Sequence, residues 1–119
     1  MQKWVLVVDD SPDHARTLTV LLSQCNCEVR VANSAKEAIA LVAGMRFDLL
    51  LIDLVMPDMD GYALVAELHR RKLLRDTSAY AMTGYPVTQE EMRAAGFQGV
   101  LLKPTILQQL QNVLRIDCQ

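Results

Sequence analysis

The chain has no basic excess: among its 119 residues, 12 Lys and Arg face 14 Asp and Glu, for a formal charge of −2. Nucleic-acid binding therefore gets no electrostatic support, since it depends on neutralising phosphates. Cysteine is sparse, with only Cys25, Cys27 and Cys118. An odd, scattered set without a matching His group makes neither a disulfide framework nor a zinc site. Cys25-x-Cys27 reads as two reduced thiols in a reducing compartment. No apolar run approaches membrane-spanning length, and the start MQKWVLVV lacks the layout of a cleavable signal. A cytoplasmic protein with no membrane partner is expected. The absence of a Gly-rich nucleotide fingerprint removes a nucleotide-binding enzyme. Linkers, repeats and low-complexity tracts are missing too, so residues 1–119 are expected to form one domain.

What is present is an alternation. Short runs rich in Val, Leu and Ile lie at Lys3–Val8, Glu28–Ala32, Phe47–Ile52, Ala79–Met82 and Gly99–Leu102. Nearly continuous apolar character suits strands of a parallel sheet buried on both faces. Between them lie segments with helix-start chemistry. Ser11-Pro12 is an N-cap followed by proline at the first helical position. Ser34 with Glu37, Thr88 with Glu91, and Thr105 with Gln108 fit the capping-box spacing. Ala15, Leu18, Leu22 and Cys25 share one face of the first helix, and Gly44 and Gly96 stand where helices should stop. The pattern is five strand–helix units in sequence. Right-handed crossovers then give a doubly wound α/β sheet with helices on both faces.

Ligands of such sheets bind beyond the carboxyl ends of the strands. Polar residues follow the apolar runs abruptly at those ends: Asp9 and Asp10, then Asp53, Thr83 and Lys103. Alone, each reads as a cap, a turn former or a solvated lysine. Converging on one pocket, three carboxylates call for a cation. All-oxygen ligands suit Mg²⁺, with Mn²⁺ as a substitute, and Lys103 and Thr83 would flank an anion. The set reads as a site that brings a phosphoryl group to a carboxylate.

Four stretches carry a family resemblance: VLVVDDSP, LLLIDLVMPDMDGYAL, AMTGYP and AAGFQGVLLKP. In order and spacing the whole chain resembles the receiver domain of two-component response regulators. The resemblance implies a flavodoxin-like fold, with strand order 2-1-3-4-5 and five helices. It implies that Asp53 accepts a phosphoryl group from a phosphohistidine, and that Asp10, Asp53 and the backbone carbonyl of Val55 ligate Mg²⁺. Asp9 would act mainly through water, Lys103 would pair with phosphoryl oxygens and Thr83 would hydrogen-bond one of them. Gly84 would leave room for the group, and the Lys103-Pro104 bond would be cis. The implied partners are a histidine kinase or a histidine phosphotransfer protein, and an unknown downstream protein, for a monomer or weak dimer. Output would pass through the fourth and fifth helices, since no effector domain follows the last one. Such a protein catalyses only its own phosphorylation and dephosphorylation and is no enzyme on external substrates. The wording of Thr83–Pro86 and Ala95–Phe97 resembles receivers fused to hybrid histidine kinases.

Two positions depart from the family. Receivers commonly carry Phe or Tyr three residues before the lysine, where Val100 stands here. A valine cannot make that ring's rotation, so loop and helix shifts after Thr83 are expected to carry the switch. Val55, two residues after Asp53, cannot hydrogen-bond an attacking water through its side chain, and Tyr85 could cover the site. Slow intrinsic dephosphorylation is expected.

The remaining candidates read as ordinary structure. His14, one turn into the first helix, reads as a surface position rather than a second phospho-acceptor. Asp58-x-Asp60-Gly61 reads as a turn, because the other ligands of a calcium loop are missing. Trp4 should pack at the base or edge of the sheet, and His69-Arg70-Arg71-Lys72 should be cations at a helix C-terminus. The alternative function is a metal-dependent phosphohydrolase with an aspartyl-phosphate intermediate, but it requires a general acid and usually a cap domain. A flavin carrier would meet repulsion between three carboxylates and the cofactor phosphate.

Overall fold

Branched apolar side chains favour extended backbone when both faces of a sheet can be covered, and each predicted apolar run becomes a strand. In the computed structural model, which describes residues 2–105 and 107–117, strands and helices alternate along the chain. The strands are β1 (Lys3–Val8), β2 (Cys27–Ala32), β3 (Leu49–Asp53), β4 (Ser78–Thr83) and β5 (Gly99–Leu102). The helices are α1 (Pro12–Ser23), α2 (Ala35–Gly44), α3 (Gly61–Arg70), α4 (Gln89–Ala95) and α5 (Leu107–Asp117). All pairings are parallel, in the order β2-β1-β3-β4-β5. The order reverses between β1 and β3, which creates a crevice at their carboxyl ends.

Successive strand residues face opposite ways and so feed two cores. Leu6, Val8, Leu50 and Ile52 pack with Val42 of α2, Leu64 and Leu68 of α3, and Met92 of α4. Val5, Val7, Leu49 and Leu51 pack with Ala15, Leu18 and Leu22 of α1 and with Leu110 and Val113 of α5. Every residue of β3 is buried. The strand that delivers Asp53 is therefore the most enclosed part of the sheet.

The caps sharpen several sequence readings. Ser11, Ser34 and Thr88 cap α1, α2 and α4, but only Thr88 and Glu91 close a reciprocal box. No box forms at Thr105, whose buried hydroxyl has no hydrogen-bond partner among the described residues. Gly96 stops α4 with φ 106°, a conformation that favours glycine. Gly44, by contrast, is the last helical residue of α2, and extended Met45 ends the helix. Cys25 lies beyond the end of α1 and is half-buried. Phe47 and Asp48 lie just before β3: the Thr77 hydroxyl donates to the Phe47 carbonyl, while Asp48 bonds Trp4 through its N–H and Ser78 through its carbonyl. Trp4 is half-buried, with the Arg30 guanidinium 5.0 Å from its ring centroid. Cys118 lies outside the described residues.

Candidate functional site

Register assembles the site. Val8 of β1 pairs with Ile52 of β3, so Asp9 and Asp53 leave the sheet side by side. Asp53 pairs with Met82, and Thr83 with Leu102, which brings Thr83 and Lys103 to the same end. Asp10, Asp53, Thr83, Gly84 and Lys103 line one cavity, with Ser11 beside them and exposed Val55 and Tyr85 at its rim. Asp9, Asp53 and Thr83 are buried, while Asp10 is exposed.

Each carboxylate oxygen of Asp53 has a partner. Oδ1 accepts the Val55 N–H at 3.1 Å, and Oδ2 accepts from Lys103 Nζ at 3.0 Å. The Thr83 hydroxyl accepts the Tyr85 N–H at 3.0 Å, and the Thr83 carbonyl accepts the Lys103 N–H at 2.8 Å. Thr83 is thereby joined both to the loop after β4 and to the lysine. The Lys103-Pro104 peptide bond is cis.

Asp9, Asp10 and Asp53 each offer an oxygen within 4.8 Å of the others. Among the described residues a single ammonium, that of Lys103, meets this group, so the local charge stays negative. All-oxygen donors, few in number and open to water on one side, fit Mg²⁺, which keeps several waters of its own.

The loop between β3 and α3 is tied down by its own acids. Asp58 accepts the N–H groups of Ala35 and Lys36, each at 3.2 Å, and so supports the start of α2. Those N–H groups hold its carboxyl below the usual range. Asp60 caps α3 by accepting the Ala63 N–H at 2.8 Å. Both residues belong to the turn read from the sequence. Gly61 presses on the site from behind, since a Cβ there would lie 2.7 Å from the Asp53 carbonyl oxygen.

Two positions differ from expectation or lie apart. His14 is not a free surface residue: its side chain is only 19% exposed and its Nδ1 contacts Asp9 Oδ2. The sequence did carry a signal, because the third residue of a capped helix faces back toward the cap. Val100 lies away from the cavity, half-buried against the core on the α2–α4 side. The basic run at the end of α3 is ordinary structure. Arg70 and Arg71 pair with Glu67, holding its carboxyl down at about 2, and His69 Nε2 donates to the Gly96 carbonyl.

Fold and site together define a doubly wound, flavodoxin-like domain with an acidic, lysine-paired pocket at the carboxyl end of its sheet. The sequence model of the response regulator receiver domain matches residues 5–115, and the chain belongs to that family, a signalling module of two-component systems. It is 31% identical over 112 residues to the signal transduction histidine-protein kinase BarA of Escherichia coli, covering 92% of this chain and 12% of that protein. It is 36% identical over 114 residues to the sensor histidine kinase AruS of Pseudomonas aeruginosa, covering 92% of this chain and 11% of that protein. The chain thus spans about an eighth of the length of these relatives. Among solved structures, the chemotaxis protein CheY4 of Vibrio cholerae superposes with a TM-score of 0.90 at 27% identity, covering 98% of this chain and 99% of that one. No helix among the described residues is long and apolar enough to cross a membrane.

Proposed function

We propose that Asp53 is the phospho-acceptor of a phosphorelay, taking its phosphoryl group from a phosphohistidine on a histidine kinase or phosphotransfer protein. The observation that carries this reading is the single cavity in which Asp53 meets Asp10, Thr83 and Lys103, with Asp9 buried behind them. A carboxylate oxygen of Asp53 attacks phosphorus, the P–N bond breaks, and the imidazole leaves, taking up a proton. The product is an acyl phosphate. Lys103, already on Asp53, moves its ammonium onto the phosphoryl oxygens, and the Thr83 hydroxyl donates to one of them. Bound Mg²⁺, held by Asp10, Asp53 and the Val55 carbonyl, would neutralise charge on the transferring oxygens. Asp9 would support it through water.

The likeness to two sensor kinases favours a receiver that works within, or beside, a hybrid kinase. A turnover phosphohydrolase is disfavoured, because the nearest cavity groups that could give up a proton are committed elsewhere, Lys103 to Asp53 and Asp10 to the carboxylate cluster. With Val100 away from the cavity, the change passes through Thr83 to Gly84 and Tyr85 and so into α4. Adding a beryllofluoride phosphate mimic should shift amides of α4 and the loop before it. Unmoved amides there would refute this route.

Incubation with acetyl phosphate tests the acceptor itself. Wild type should gain one phosphoryl group in Mg²⁺ and none in EDTA, while Asp53→Ala gains none in either. Labelling that survives in Asp53→Ala would overturn the assignment.

A further inference from the structure

We infer that His14 is a positioning residue for the Mg²⁺ site, acting through Asp9. The inference rests on the phospho-acceptor reading above, and it adds a residue whose role lies outside the cavity.

Asp9 is fully buried, and both of its oxygens are engaged from the same helix start. Oδ1 accepts the Ser11 N–H at 2.9 Å, and Oδ2 accepts from His14 Nδ1. A carboxylate only accepts, so the proton of this contact sits on Nδ1. The other ring nitrogen, Nε2, is buried and has no hydrogen-bond partner among the described residues. The polar chemistry of His14 is therefore directed at Asp9 alone.

The helix start shows why a histidine serves here. Ser11 is the N-cap of α1, Pro12 follows it, and His14 is the third helical residue. In a capping box the third residue is Glu or Gln and accepts the N–H of the cap residue. Here Asp9 takes that N–H instead, which frees position 14 to donate rather than accept. A glutamate at 14 would place a fourth carboxylate against the three already gathered, and a donor there relieves the crowding. The two N–H donors occupy two of the roughly four acceptor directions of Asp9. One Asp9 oxygen also lies within 4.8 Å of an oxygen of Asp10 and of Asp53. His14 thus fixes the rotation of a carboxylate that would otherwise pivot about Ser11, much as outer partners orient ligands in other metal sites.

Mg²⁺ alone is the probe, titrated by calorimetry and by the ¹H–¹⁵N shift of the Ser11 amide. His14→Ala should weaken Mg²⁺ binding about tenfold, and labelling by acetyl phosphate should need correspondingly more Mg²⁺ to reach half its maximal rate. His14→Asn, whose amide nitrogen superposes on Nδ1, should recover most of the loss. His14→Gln, whose nitrogen falls at Nε2, should recover little. Unchanged Mg²⁺ affinity in His14→Ala, with only its melting temperature lowered, would mean that His14 is purely structural and would overturn the inference. So would an Asn variant no better than Ala. Wild type that neither binds Mg²⁺ nor takes the phosphoryl group would instead overturn the phospho-acceptor reading itself.

Discussion

Lys103 Nζ stands 3.0 Å from Asp53 Oδ2, although the two residues are 50 positions apart in the chain. The pair is partly sheltered, with 29% and 7% of the side chains exposed. Replacing Lys103 by Met leaves three carboxylates without their ammonium. Stability in EDTA should fall by about 1–2 kcal/mol. Mg²⁺ should bind several times more tightly, because the ion no longer competes with a fixed cation. Melting curves and calorimetry read the two effects separately, and looser Mg²⁺ binding would contradict the charge argument.

The glycines flanking the site should behave oppositely. At Gly61 a methyl group would meet the Asp53 carbonyl at 2.7 Å and the Leu54 Cα at 2.9 Å. Gly61→Ala should cost about 1–3 kcal/mol and slow phosphorylation by displacing the strand end. At Gly84 nothing lies within 4 Å. Gly84→Ala should keep the wild-type melting temperature yet narrow the cavity, slowing transfer from a protein donor more than from acetyl phosphate.

Val55 is 63% exposed at the rim of the cavity, and its side chain offers no hydrogen bond. The phosphorylated form should persist for minutes or longer. Val55→Asn, able to orient an incoming water, should shorten that lifetime severalfold. Following loss of the phosphoryl group by mass, with and without the substitution, settles the point; a lifetime of seconds in both proteins would refute it.

Asp58 supplies a pH test. Two backbone N–H groups of α2 favour its charged form and lower its pKa in the folded protein. Stability from this contact is fully present above the unfolded value of 3.8 and is lost as pH falls through the folded one. The melting temperature of Asp58→Ala should therefore lie below wild type at pH 6, with the gap closing below about pH 4. A constant gap across that range would place the effect elsewhere.

Much of this was legible in the sequence, because period and chemistry agree. Branched apolar runs marked all five strands, and the residues after them marked the cavity. The family motifs added strand order, which no local pattern encodes. What escaped was contact between segments. Position 14 looks like helix surface until the Asp9 carboxylate is seen turned beneath it. Asp58 is plainly a turn former, but its service to α2, whose first residues lie 22 and 23 positions earlier, depends on the tertiary path. The missed start of β3 has a similar origin at Phe47, whose carbonyl is taken by the Thr77 hydroxyl, 30 positions on.

The acids of the β3–α3 loop have one more effect. Asp58 moors the loop to α2, Asp60 moors it to α3, and the Gly61 N–H closes it back onto the Leu54 carbonyl at 3.0 Å. The Val55 carbonyl thus stands on a bank that is already set before any ion arrives, and little ordering entropy remains to be lost there on binding. On the opposite bank Thr83 leads into Gly84, beside which a side chain would meet only open space. One wall of the cavity is thus braced by its own acids and the other faces open space, so a phosphoryl group on Asp53, as proposed, should be read out on the Gly84 side.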